Sequence, residues 1–91
     1  MKQPLLTWIE TAVPGQYLAS ADGIEYRITP TRKYDVRGDF DLMYQLDVIR
    51  IENREEMERR WYKARATAKA FATRIADHQR WIERLKADGY I

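Results

Sequence analysis

The chain has no cysteine, one histidine and one serine among 91 residues, with four glycines and three prolines. Without cysteine there are no disulfides and no thiolate metal sites, which fits a cytoplasmic protein. With only Ser20 and His78 to draw on, a nucleophile–base–orienter arrangement is hard to build, so no enzyme is expected. His78 would need a second metal ligand at position 74 or 82, and Arg74 and Ile82 stand there. No metal or cofactor is therefore expected. No apolar run approaches the ~20 residues that cross a bilayer, so no membrane partner is expected. The opening MKQPLLTWIETAVPG has one lysine and a short apolar patch, and it does not read as a secretory signal.

Charge of one sign is also locally missing. Between Arg59 and Ile75 there is no acid. Residues 1–52 carry six Lys/Arg and eight Asp/Glu, and residues 53–91 carry ten and six. The C-terminal half is thus the basic one, although the whole chain is only +2. Arg59, Arg60, Lys63, Arg65, Lys69 and Arg74 form the stretch a phosphate backbone would use. A solvated helix face is the plainer reading of the same residues.

Apolar residues make up 45% of the chain and charged ones 33%, a balance that predicts one folded domain over 1–91. Asp22-Gly23 separates two short alternating runs, the strongest local hairpin signal. A two-residue loop pairs Ala21 with Ile24, Ala19 with Tyr26 and Tyr17 with Ile28, all on one face. Val13-Pro14-Gly15 reads as a turn, and residues 5–9 as a short strand or apolar arm. Pro30 is expected to end the second hairpin strand, and residues 30–41 to form a polar connection. Residues 42–51 make a third strand, in which the apolar phase switches at Ile49 and suggests a bulge.

From Asn53 to about Ala87 there is no proline or glycine. Met57, Trp61, Ala64, Ala68, Phe71, Ile75, His78, Ile82 and Leu85 recur at steps of four and three. This spacing predicts a helix over about 53–87, N-capped by Asn53 with Glu56 in capping-box position and stopped at Gly89. It would be ~50 Å long, longer than a compact domain of this size. The expected architecture is α+β: three antiparallel strands, or four with the N-terminal run, within about 5–52, followed by one long C-terminal helix. The helix's first half would cover the sheet. Its second half would need another cover, so Ile75, His78, Ile82 and Leu85 are the expected seam of a homodimer.

Tyr62, Trp81, Arg74, Arg80 and Arg84 are the residue types that anchor protein interfaces. Asp35, Arg37 and Asp39 crowd one loop and are expected to join them as partner contacts. Arg37-Gly38-Asp39 spells an adhesion tripeptide, which in a cysteine-free chain is read as coincidence.

The order Trp8, Gly15-Gln16-Tyr17-Leu18-Ala19, Tyr26-Arg27-Ile28 and Ala68-Lys69-Ala70-Phe71-Ala72 resembles a loose class of small proteins encoded by phages and prophages. The likeness covers most of the chain, and it departs from that class in its longer helix and its charged 30–41 loop. The resemblance implies a compact sheet-plus-helix accessory protein and transfers no catalytic residue. It implies binding to a host or phage protein, with inhibition of a host defence system as one such role. The alternative is a nucleic-acid-binding accessory protein using the basic stretch 59–74.

Overall fold

The computed structural model describes residues 6–89. The elements are β1 (Ile9–Glu10), β2 (Tyr17–Ala21), β3 (Ile24–Tyr34), β4 (Phe40–Arg50), β5 (Glu56–Tyr62) and α1 (Arg65–Ala87). The strands form one antiparallel sheet in chain order, and α1 lies on one face of it. The fold is α+β with a C-terminal helix, as the pattern predicts, but with five strands. Residue 5 of the expected N-terminal strand lies outside the described residues.

Turn chemistry sets the first half. The Gln16 amide donates to the Val13 carbonyl at 3.1 Å, with Pro14 and Gly15 (φ +79°) in the central positions. That is a type II turn, which requires positive φ where Gly15 sits. A Cβ there would also meet the Pro30 ring at 2.9 Å. Asp22 and Gly23 both have positive φ, the type I′ hairpin. The predicted pairs Ala21–Ile24, Ala19–Tyr26 and Tyr17–Ile28 are all formed.

Pro30 does not end β3. The strand continues to Tyr34, paired in unbroken register with β4 from Ile24–Arg50 to Tyr34–Phe40. The amide of Asp35 and the carbonyl of Gly23 both face the β4 side, so odd-numbered residues of β3 pair with β4. Pro30 therefore aims its missing donor toward β2, whose pairing stops at Tyr17–Ile28. Residues 30–41 are thus a two-stranded ribbon with a turn at 35–39, not a polar loop.

The helix starts later than expected. Glu56–Tyr62 is a strand, and α1 begins at Arg65. Asn53 caps a turn: its Oδ1 accepts the Glu55 amide at 3.0 Å. Strong local helix formers in EMERRWY are overridden by pairing with β4, which sets Arg59 opposite Asp47 and Tyr62 opposite Tyr44. Met57 is the extra residue where the register shifts beside Val48 and Ile49, the point where the apolar phase of β4 switches. Met57, Trp61 and Ala64 therefore belong to no helical seam.

At 23 residues α1 is ~34 Å long. It buries Ala68, Ala72 and Ala76 against Tyr26, Ile28, Leu46 and Val48. Three alanines one turn apart let the helix backbone approach the sheet closely. Each large side chain so covered contributes roughly 1.5–3 kcal/mol of transfer free energy. The Tyr26 hydroxyl is buried and has no hydrogen-bond partner among the described residues. Burial, with a smaller contribution from the Asp22 charge, pushes its pKa up to about 12. α1 ends as expected, with Gly89 at positive φ and its amide on the Lys86 carbonyl at 3.1 Å. The molecule measures 52 × 30 × 24 Å.

Candidate interaction surfaces

The ribbon is the most exposed apolar feature. Unbroken alternation keeps Pro30, Arg32 and Tyr34 of β3, with Phe40, Leu42 and Tyr44 of β4, on the face that carries Tyr26 and Leu46 below. α1 covers that face only as far as the level of Tyr44. Above it Tyr34, Phe40 and Leu42 are more than half exposed, and Val36 at the tip is fully so. Tyr34 and Phe40 rings sit 5.6 Å apart, and the Arg32 guanidinium lies 5.0 Å from the Phe40 centroid. Asp35 builds the tip. Its carboxylate accepts the amides of Arg37 at 2.8 Å and Asp39 at 3.1 Å. Asp35 thus shapes the tip, and the Arg37 and Asp39 side chains project from it, exposed.

The other expected contact residues do not join this group. Arg80 donates to Asp22 at 3.1 Å, which ties α1 to the β2–β3 turn, at the far end of β3 from Tyr34. Trp81 and Arg84 lie on that distal helix, exposed, with the Trp81 ring 5.8 Å from His78. Tyr62 is half-buried and stacks on Phe71 at 4.9 Å, so it packs between β5 and α1. Arg74 covers the edge of the same pair, 5.6 Å from the Phe71 centroid. Of the expected dimer seam, Ile75 packs on the protein's own core, Ile82 and Leu85 are half-buried, and His78 is exposed. These four residues are thus not a uniform exposed stripe.

The basic stretch divides in two. Arg59 and Arg60 lie on β5 and are held by carboxylates: Arg59 by Asp47 at 3.0 Å and Glu56 at 2.7 Å, Arg60 by Glu58. Their hydrogen bonds to Asp47 and to Glu58 push both guanidinium pKa values above the ordinary arginine range. Lys63, Arg65, Lys69 and Arg74 have no ion pair among the described residues. Lys69 lies 4.3 Å from the Tyr17 centroid and 5.8 Å from that of Trp8. Arg65 lies 4.8 Å from the Tyr17 centroid and donates to its hydroxyl. The helix N-terminus between them has no side-chain cap and no acid in its first turn.

Sequence reasoning missed the face opposite α1. Asp47 is buried there, accepting from Arg59 and, at 3.0 and 3.2 Å, from Gln45. Arg27 lies across from it in register and pairs with Glu25, which also takes Arg54 at 3.6 Å. Trp61 donates to Gln45 and lies 3.8 Å from the Lys33 ammonium. Glu25, Arg27, Asp47, Arg54 and Arg59 on this face are thus paired with one another or with Glu56. The signal was a period of two across Arg59 and Trp61, concealed by an equally good four-residue spacing from Met57 to Trp61.

A groove of about 640 Å³ opens between the β2–β3 turn, the end of β4 and the distal helix. Asp22, Glu52 and Glu83 line it with Arg50, Arg80 and Lys86. Three charges of each sign select no ligand class. Among the described residues there is no group of three or more His, Asp or Glu placed to hold a metal ion. No helix among them is long and apolar enough to cross a membrane. Compared with family models, curated proteins and solved structures, the chain matches none.

Proposed function

We propose that this is a non-enzymatic interaction protein that docks on another protein through its β3–β4 ribbon. One observation carries the reading. The apolar face of the sheet is covered by α1 below Tyr44 and bare above it, leaving Tyr34, Phe40 and Leu42 exposed. Aromatic residues beside arginine are the composition of interface centres. Charge on the ribbon cancels, with Arg32, Lys33 and Arg37 against Asp35, Asp39 and Asp41. That suits a protein surface better than a phosphate backbone. The resemblance to phage and prophage accessory proteins supports a host or phage protein as the partner, with obstruction of a defence protein among the uses.

The test is photo-crosslinking in cells that naturally make the protein. A photoreactive residue at Val36 or Leu42 is expected to give one discrete protein adduct, and at Ser20 none. An adduct from Ser20 or Trp81 with none from the ribbon overturns the reading.

A second reading rests on Lys63, Arg65, Lys69 and Arg74, which form no ion pair among the described residues. It is nucleic-acid binding by the first turns of α1, with affinity falling about one log unit per log unit of salt for each phosphate contact. Joint reversal of Lys63, Arg65 and Lys69 to Glu would abolish such binding. Affinity unchanged by that reversal would remove this reading.

A further inference from the structure

The ribbon face has a definite chemical border. Arg32 stands on it, over Phe40. Arg65 brackets its base on the β2 side, over Tyr17, and Lys63 follows Tyr62 in the β5–α1 connection. None of the three has a carboxylate partner among the described residues. The uncapped helix N-terminus, with its unshared positive dipole end, points at the same base. The ribbon's acids lie elsewhere. Asp41 is opposite Lys33 on the reverse face, and Asp35 and Asp39 are in the turn. The bare apolar face thus carries positive charge on it, at Arg32, and at its base, at Arg65, with acids only at its tip.

The fold also shows what such a face accepts. Farther along the same two strands, at Ile28 and Leu46 and at Tyr26 and Val48, the same side is covered by a helix, α1. We infer that the ribbon face takes an amphipathic helix of a partner protein, acidic along its flanks, packed on Tyr34, Phe40 and Leu42 with its carboxylates on Arg32 and Arg65. A helix laid in this position extends the layer that α1 begins. A second copy of this chain offers no such acidic helix: around Trp81 its distal helix mixes Asp77 and Glu83 with Arg80, Arg84 and Lys86, and Lys86 already pairs with Glu83. A partner strand is disfavoured on the β2 side of the ribbon, where Pro30 offers no donor. This inference rests on the ribbon-docking reading and adds the class of ligand.

The experiment is a selection from a random display library of about 15-residue peptides, long enough for roughly four helical turns. The full chain is the bait. Enriched peptides are expected to carry apolar residues at i, i+3, i+4 and i+7 with Asp or Glu beside them. They should become helical on binding by circular dichroism. Arg32→Glu should weaken them about tenfold and favour copies in which Glu is exchanged for Lys. Leu42→Lys should abolish binding, with Phe40→Ser as the second variant if Leu42→Lys does not fold. Peptides that need Leu42 and Phe40 but are basic, or stay extended when bound, overturn the acidic-helix inference and leave the ribbon reading standing. Peptides indifferent to both ribbon variants, or no enrichment at all, overturn the two together. A DNA or RNA oligonucleotide that displaces the peptides, with a steep salt dependence, assigns the face to nucleic acid and overturns the inference.

Discussion

Asp47 accepts a hydrogen bond from Arg59 across β4 and β5 at 3.0 Å, although it lies on the sheet face that α1 does not cover. The pair exists only because residues 56–62 are a strand. In a helix starting at Asn53, Arg59 would have had no route to it.

That pairing has an amide-exchange signature. Even-numbered residues of β4 turn their backbone groups to β5, as the Arg50 amide does in donating to Glu55. Leu46–Arg60 is therefore a bonded pair, and Arg59 and Trp61 face solvent with their amides. The Arg60 amide should exchange slowly and those of Arg59 and Trp61 quickly. Uniform protection through 57–62 would mean a helix and refute the strand.

Removing the buried Asp47 carboxylate takes its acceptor from Gln45 and leaves Arg59 with Glu56 alone. Asp47→Ala should lower stability by about 1–3 kcal/mol in urea unfolding. A change of only a few tenths would show that water replaces the carboxylate freely.

Much of the first half was legible because turn chemistry is local. Asp22-Gly23 dictates its turn, and one two-residue loop then sets six side chains on one face. Gly89 was legible for the same reason. The Ala68 to Ala76 stretch was also read as helix, since both its spacing and its alanines agree. Residues 56–62 were not legible. Glu, Met and Arg favour helix locally, and Met57 and Trp61 share a four-residue spacing. What decides the matter is a long-range partner strand. The ribbon was hidden by Pro30, which reads as a strand end unless the unpaired side of β3 is known. The candidate surface was half legible. Asp35, Arg37 and Asp39 marked the right loop, but Tyr34, Phe40 and Leu42 gain meaning only once α1 is seen to stop short of them.

Tyr26→Phe removes a buried hydroxyl with no partner. Stability should stay level or rise by up to about 1 kcal/mol at neutral pH. The raised pKa of Tyr26 makes a second expectation. Its folded value, about 12, lies above the ordinary 10.0, so the neutral form is favoured in the folded state. Stability linked to this group is intact below pH 10 and lost as pH rises from 10 toward 12. Tyr26→Phe should flatten that alkaline decline. Equal declines in the two proteins would show that Tyr26 is not its source.

The three alanines of α1 predict an asymmetry. Ala72→Leu forces the helix off Tyr26 and Ile28 and should lower stability by roughly 1–3 kcal/mol. Ala70→Leu, on an exposed position of the same helix, should change it by less than about 0.5 kcal/mol. Equal effects would place the wrong stripe against the sheet.

The central claim is that recognition happens on the ribbon, and amide chemical-shift mapping tests it most directly. Isotope-labelled full chain is titrated with the selected peptide of highest affinity. The account predicts shifts concentrated at Arg32, Tyr34, Phe40, Leu42 and Arg65, with Ser20, Asp47 and Trp81 unmoved. Shifts confined to the distal helix around Trp81 and Arg84, or to the Asp47 face, would contradict it.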